Sequence, residues 1–127
     1  MTINHLDKLV AEAYATSIWR PASITTEPET QLTQWQVYKV KNNAGEWDIH
    51  FMGYAVYEGR VCSAVQEFDS STMRGRTKSG RIYELVGTQG FNRDAEYVWA
   101  RWLNIYGNPE VICISDEYGS INNNLGD

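Results

Sequence analysis

Cysteine is scarce in this sequence: two residues, Cys62 and Cys113, in a chain of 127. They form no CxxC pair, and their separation matches no metal-site spacing, so neither a thiolate metal centre nor a disulfide scaffold is expected. Each sits in an apolar, strand-like stretch (Val61-Cys62 and Ile112-Cys113-Ile114), where a free thiol behaves as a small hydrophobe. Both are expected as reduced core thiols. Histidine is just as sparse, and His5 and His50 lie too far apart in sequence to suggest a zinc-ligand pattern. No metal and no cofactor is expected. Neither GxxxxGKS, GxxxxGKT nor GxGxxG occurs, which removes the usual phosphate-cradling loops. There is no repeat and no low-complexity segment. No stretch approaches the ~20 apolar residues of a membrane span. The N-terminus carries no apolar signal region. The expected setting is the cytoplasm, away from membranes.

Aromatic residues are plentiful, with five Trp, eight Tyr and three Phe. Such side chains bury large areas, and several belong in a core, with others suited to an interface. A chain of this size can bury roughly two-thirds of its unfolded surface, so one domain can fold without staples. The net charge is −5. Overall acidity makes a general nucleic-acid binder a poor expectation, because phosphate contacts need clustered cations. The acids are scattered rather than arranged in runs, which fits plain solubility.

Ile3, Leu6, Leu9, Val10, Ala13 and Tyr14 recur at three- and four-residue spacing and predict an amphipathic helix over Thr2–Trp19, ended by Pro21. Polar residues 21–31 connect it to a strand, Leu32–Lys41, with Trp35 and Val37 on one face and Gln34, Gln36, Tyr38 and Val40 on the other. Asn42-Asn43-Ala44-Gly45 is turn chemistry. Glu46–Tyr57 returns, and Val61–Phe68 reads as a further strand, apolar enough on both faces to be central. Thr72–Thr77, the turn Lys78-Ser79-Gly80 and Arg81–Val86 make a hairpin. Asn92 caps a second helix, Arg93–Tyr106, whose stripe is Ala95, Val98, Trp99, Trp102, Leu103 and Tyr106, and Gly107-Asn108-Pro109 stops it. Val111–Ile114 is a short strand. The simplest assembly is α+β: an antiparallel β-meander of about five to six strands, with the N-terminal and C-terminal helices packed on one face. Residues 1–115 form the expected single domain, and residues 116–127 a mobile acidic tail.

The densest candidate chemistry lies in the Arg60–Gly87 stretch. Arg74, Arg76, Lys78 and Arg81 place four of the eleven cations within eight residues, leaving seven cations against sixteen acids elsewhere. Such asymmetry points to an anionic partner surface. Arg forks suit carboxylate or phosphate, and Gly75, Ser79 and Gly80 would let backbone N–H groups approach an anion. The plain alternative is a solvated hairpin whose cations offset neighbouring acids. Trp35, Tyr38 and Tyr83 are candidate aromatic anchors for a partner. His50 is a candidate general base with Asp48 beside it, and nearby strands would bring Ser63, Tyr83 or Arg81 close. Its plain alternative is a half-buried histidine bonded within the sheet. Trp99 and Trp102 read as helix packing on the sheet.

The segments TKSGRIYELVG and DAEYVWARW, between Thr77 and Trp102, resemble small uncharacterised proteins of bacteria, phages and plasmids. That resemblance carries no catalytic residues. It implies a mobile-element or phage-borne protein that binds and inhibits a host protein. The leading expectation is thus a non-enzymatic interaction domain recognising a protein partner, or a second copy of itself, through Arg74, Arg76, Lys78, Arg81, Trp35, Tyr38 and Tyr83. An enzyme acting on a nucleotide or nucleic acid, with His50, Tyr83 and Arg81 in one cleft, is the second. A nucleic-acid-binding regulator is the third.

Overall fold

The first strand, β1 (Glu29–Lys41), touches every other part of the sheet's centre. The computed structural model describes residues 28–119. The helix expected at Thr2–Trp19 and the end of the expected acidic tail lie outside the described residues.

β1 pairs antiparallel with β2 (Trp47–Ala55), which pairs antiparallel with β3 (Glu58–Val61). Later in the chain, β4 (Val65–Asp69), β5 (Arg74–Thr77) and β6 (Ile82–Leu85) repeat the arrangement, each antiparallel to the next. The two three-stranded meanders join where β6 lies parallel to the N-terminal half of β1, Glu29 opposite Ile82 and Leu32 opposite Leu85. β7 (Val111–Cys113) pairs antiparallel with the C-terminal half of β1. The result is a seven-stranded mixed sheet of order β3-β2-β1-β6-β5-β4, with β7 beside β1.

This overturns the single antiparallel meander of five to six strands carrying two helices. Antiparallel neighbours are announced by short turns, whereas the β1–β6 pairing is parallel and spans the whole of β2–β5, so no local signal marks it. One long helix, α1 (Arg93–Ile105), and a short one, α2 (residues 115–119), complete the described residues. Val61–Phe68 is likewise two strands rather than one central strand. The Cys62 N–H closes the β2 ladder on the Phe51 carbonyl at 2.9 Å, and the Ala64 carbonyl takes the Lys78 N–H at 2.7 Å. The chain therefore changes partner strand within three residues, and β3 and β4 end up at opposite edges of the order.

A bulge in β1 sets which residues face inward. The register slips between Thr33 and Gln36, with Gln34 at φ 48°. One extra residue there flips the alternation, so Leu32 and Trp35, three apart, both enter one core. The loop after β6 is stitched to the bulge: Trp35 Nε1 donates to the Gly87 carbonyl at 3.1 Å, Gln36 Nε2 to the Gly90 carbonyl at 2.8 Å, and Gln34 Nε2 to the Phe91 carbonyl at 2.8 Å.

Both faces of the β1–β2 ribbon are covered. On one, Leu32, Trp35, Val37 and Phe51 pack with Tyr83, Leu85 and Ile114, and Phe51 meets Phe68 and Tyr118 edge-on at 5.8 and 6.0 Å. Tyr118 belongs to α2, so the described start of the expected tail packs on the core. On the other face, α1 lays Ala95, Val98, Trp99 and Trp102 over Val40, Met52 and Val61. Asn92 caps α1 as expected, its side chain accepting the Ala95 N–H at 2.9 Å, and Gly107 at φ 82° follows its end. Gly59 lets β3 meet the helix backbone: a Cβ there would sit 2.5 Å from the Asp94 carbonyl oxygen and 2.6 Å from Ala95 Cα. No helix among the described residues is long and apolar enough to cross a membrane.

Candidate functional site

The basic segment forms the expected hairpin. Thr77 donates its N–H to the Arg81 carbonyl at 2.9 Å, Gly80 closes the turn on Thr77 at 2.8 Å, and its φ of 96° suits glycine. The charges do not gather into one patch. Arg74 Nε donates to Glu29 at 2.7 Å and its guanidinium lies 3.5 Å from Glu84, both carboxylates helping to raise its pKa. Arg76 pairs with Glu67 at 2.9 Å across the β4–β5 ladder. Arg81 is buried, with 4 % of its surface exposed. Among the described residues, Lys78 alone of the four cations is both exposed and outside an ion pair. Nor does Gly75 cradle an anion. A Cβ there would lie 2.7 Å from Phe51 Cε2, so the missing side chain makes room for an aromatic ring of the core.

The three candidate anchors are all inside or under other elements. Trp35 is fully buried in the Phe51 core, and Tyr83 is buried in the same cluster. Burial is the main influence raising the Tyr83 phenol's pKa, and the Arg60 and Arg81 guanidiniums beside it pull it back. Tyr38 stacks on Trp99 at 4.5 Å beneath α1, and burial raises its phenol as well. Trp47 sits opposite Lys41, whose ammonium lies 5.8 Å from its ring.

His50 lies on the helix-facing side of β2, opposite Tyr38 and 4.8 Å from the Trp102 ring. Only 7 % of it is exposed. Its Nδ1 is 2.8 Å from the Cys62 carbonyl. A carbonyl can only accept, so Nδ1 carries the proton when the ring is neutral, and Nε2 is left as an acceptor. Burial lowers the His50 pKa, against smaller raising influences from the Cys62 carbonyl and Asp48. Asp48 does not orient the ring as the base–carboxylate reading would have it. Its carboxylate accepts from Asn42 Nδ2 at 3.2 Å, and the backbone of Cys62 holds the imidazole instead.

A cavity of about 500 Å³ opens at this histidine. Val40 at the end of β1, Asn42 just beyond it, Asp48 on β2, Ser63 at the β3–β4 crossing, Trp102 on α1, Tyr106 at its C-cap, and Lys78 from the basic turn line it. The basic hairpin and His50 thus share one cleft, but through Lys78. Of the three residues expected close to His50, Ser63 lines the cleft, and Arg81 and Tyr83 are not part of its lining. His50 and Tyr83 belong to opposite faces of the sheet, one against α1 and the other in the Phe51 core. Asn42, Tyr106 and Pro109 escaped the sequence reading as site residues because they look like turn, helix-stripe and helix-stop residues. They meet only because β7 returns along β1, with the Lys41 N–H on the Glu110 carbonyl at 2.9 Å.

The cysteines part company. Cys62 is buried, its thiol pushed up to about 12 by burial, and its sulfur accepts the Phe51 N–H at 3.1 Å. Cys113 is exposed rather than the core thiol expected, because among the described residues β7 pairs only with β1 and both Ile112 and Cys113 on this edge strand are exposed. Among the described residues, no group of three or more His, Cys, Asp and Glu side chains is placed to hold a metal ion.

Comparison of the chain with protein-family models, with curated proteins and with solved structures finds no match.

Proposed function

We propose that this chain is a non-enzymatic interaction domain that recognises a protein partner, met in the cytoplasm. The observation that carries the reading is an exposed apolar end where β2 turns into β3. Val56 and Tyr57 are 70 % and 88 % exposed there, and Val56 adopts φ 57°. A β-branched residue in the left-handed region is strained, and such strain persists where the surrounding structure holds it, often at a functional site. Gly59, two residues after Tyr57, packs on Asp94 and Ala95, and Phe91 stands three residues before Asp94 with 67 % of its surface exposed. The turn and the start of α1 therefore present Val56, Tyr57 and Phe91 at one end of the molecule. Apolar and aromatic groups held in solvent together mark protein-binding surfaces.

The basic hairpin contributes less than its sequence promised. With Arg74 and Arg76 paired to carboxylates and Arg81 buried, a polyanion would meet little uncompensated charge, which weighs against the nucleic-acid reading. The resemblance of Thr77–Trp102 to small proteins of bacteria, phages and plasmids supports a host protein as the partner. A second copy of the chain is the other protein partner the apolar end would suit.

The test compares the wild-type chain with a Tyr57→Ser, Phe91→Ser double variant, both positions being exposed enough for the fold to tolerate polar replacement. Cross-linking capture from bacterial lysate, with sedimentation of the purified chain beside it, should show a partner or a self-associated species that the variant loses. The same captured proteins and the same sedimentation for both would defeat the reading.

A further inference from the structure

We propose that the cavity between the end of the β1–β2 hairpin, the β3–β4 crossing and the C-terminal turn of α1 is a binding site for a mononucleotide. Its volume of about 500 Å³ falls within the range of small-ligand sites. Three kinds of group converge there. The first is a pair of acceptors. His50, more than nine-tenths buried, is held by its Nδ1 on the Cys62 carbonyl, so Nε2 is the ring atom left for a ligand. Asp48, two residues away on the same strand face, adds a carboxylate steadied by Asn42. Two acceptors side by side suit the N–H groups of a nucleobase edge.

The second is an apolar wall. Trp102 and Tyr106 lie 4.6 Å apart, ring centre to ring centre, and Val40 continues the surface. Aromatic walls of this kind accept flat bases. The third is a cation at the rim. Lys78 is placed by its N–H on the Ala64 carbonyl, next to the Ser63 hydroxyl, and makes no ion pair among the described residues. Lys41, also on the rim, is engaged with Glu110 at 3.7 Å. One available ammonium beside one hydroxyl fits a single phosphate rather than a strand of nucleic acid. A bare inorganic anion fits poorly, because Asp48 faces the same space. A divalent cation fits poorly too, since Asp48 is the one carboxylate in the lining among the described residues.

The experiment is a titration of the full isotope-labelled chain with AMP, GMP, CMP and UMP, followed by NMR. Adenosine, guanosine, cytidine, uridine and inorganic phosphate are titrated separately. At least one mononucleotide should shift the Trp102 indole, His50 and Lys78 signals and bind about tenfold or more tighter than its nucleoside or phosphate, the margin expected of one charge-assisted contact. Lys78→Ala, a change at an exposed position, should bring that nucleotide's affinity down to the nucleoside's and leave the nucleoside's unchanged. Asp48→Asn should weaken nucleotide and nucleoside alike. No shift at millimolar nucleotide, shifts outside the cavity, phosphate binding as tightly as the nucleotide, or affinity indifferent to both substitutions would each overturn the proposal.

Discussion

The basic hairpin and the His50 cavity reverse the roles their sequences suggest. The hairpin holds four cations in eight residues and looks like a binding surface, yet among the described residues Arg74 and Arg76 are spent on Glu29, Glu84 and Glu67, Arg81 is buried, and Lys78 alone is left for a partner. Its glycine makes room for Phe51. The cavity is assembled from residues that look like a strand polar, two turns and a helix end, and it gathers acceptors, aromatic walls and an available ammonium. Charge density along a chain reports what is present locally. Charge available to a partner depends on which acids the topology places opposite, and here the β1–β6 and β4–β5 pairings supply them.

If the hairpin is scaffold, loosening its contact with the core should cost the most. Phe51→Ala removes a fully buried ring that meets Phe68 and lies over Gly75, and it should cost about 3–5 kcal/mol in urea unfolding. Gly75→Ala places a methyl 2.7 Å from that ring and should cost about 1–3 kcal/mol. A hairpin that served only as a solvated surface would tolerate the second change without loss.

Next in size is an acid effect that belongs to the cavity. The His50 pKa is lowered on folding from its ordinary 6.5, so below that value the unfolded chain binds more protons than the folded one. His50's contribution to stability is therefore complete above pH 6.5 and is lost as the pH falls towards its lower folded pKa. Urea midpoints measured across this range should fall with pH in the wild type and fall less steeply in His50→Gln. Equal slopes would place the acid response elsewhere.

The smallest effect is expected where the sequence is most charged. Arg74→Gln and Arg76→Gln each break an exposed ion pair, and such pairs contribute little. Their unfolding midpoints should stay close to the wild type's, and closer still in high salt. A large loss from either would return the hairpin's charges to the centre of the structure.

The same contrast explains how much could be read in advance. Strands announced by alternation and closed by Asn42–Gly45 or Lys78–Gly80 appear where expected, as does α1 with its Asn92 cap and its Trp99–Trp102 stripe. These are local properties, fixed within a few residues. The parallel β1–β6 pairing, the bulge at Gln34 and the change of partner across Cys62–Ala64 were not legible, because each depends on a strand brought from far along the chain. His50 was legible as a candidate, with Asp48 and Ser63 beside it, and the rest of its surroundings were not. Tyr83, expected close to it, lies in the Phe51 core on the other face and Arg81 is not in the lining, while Lys78 reaches it through the β3–β4 crossing and Trp102 and Tyr106 through the packing of α1.

The most direct measurement is the protonation state of the His50 imidazole by nitrogen NMR at neutral pH. A neutral ring with its proton on Nδ1 and a lone pair on Nε2 is the predicted result, since the Cys62 carbonyl accepts at 2.8 Å and burial disfavours the charged form. A charged imidazolium, or a proton on Nε2 with Nδ1 bare, would contradict the acceptor role proposed for His50 in the cavity.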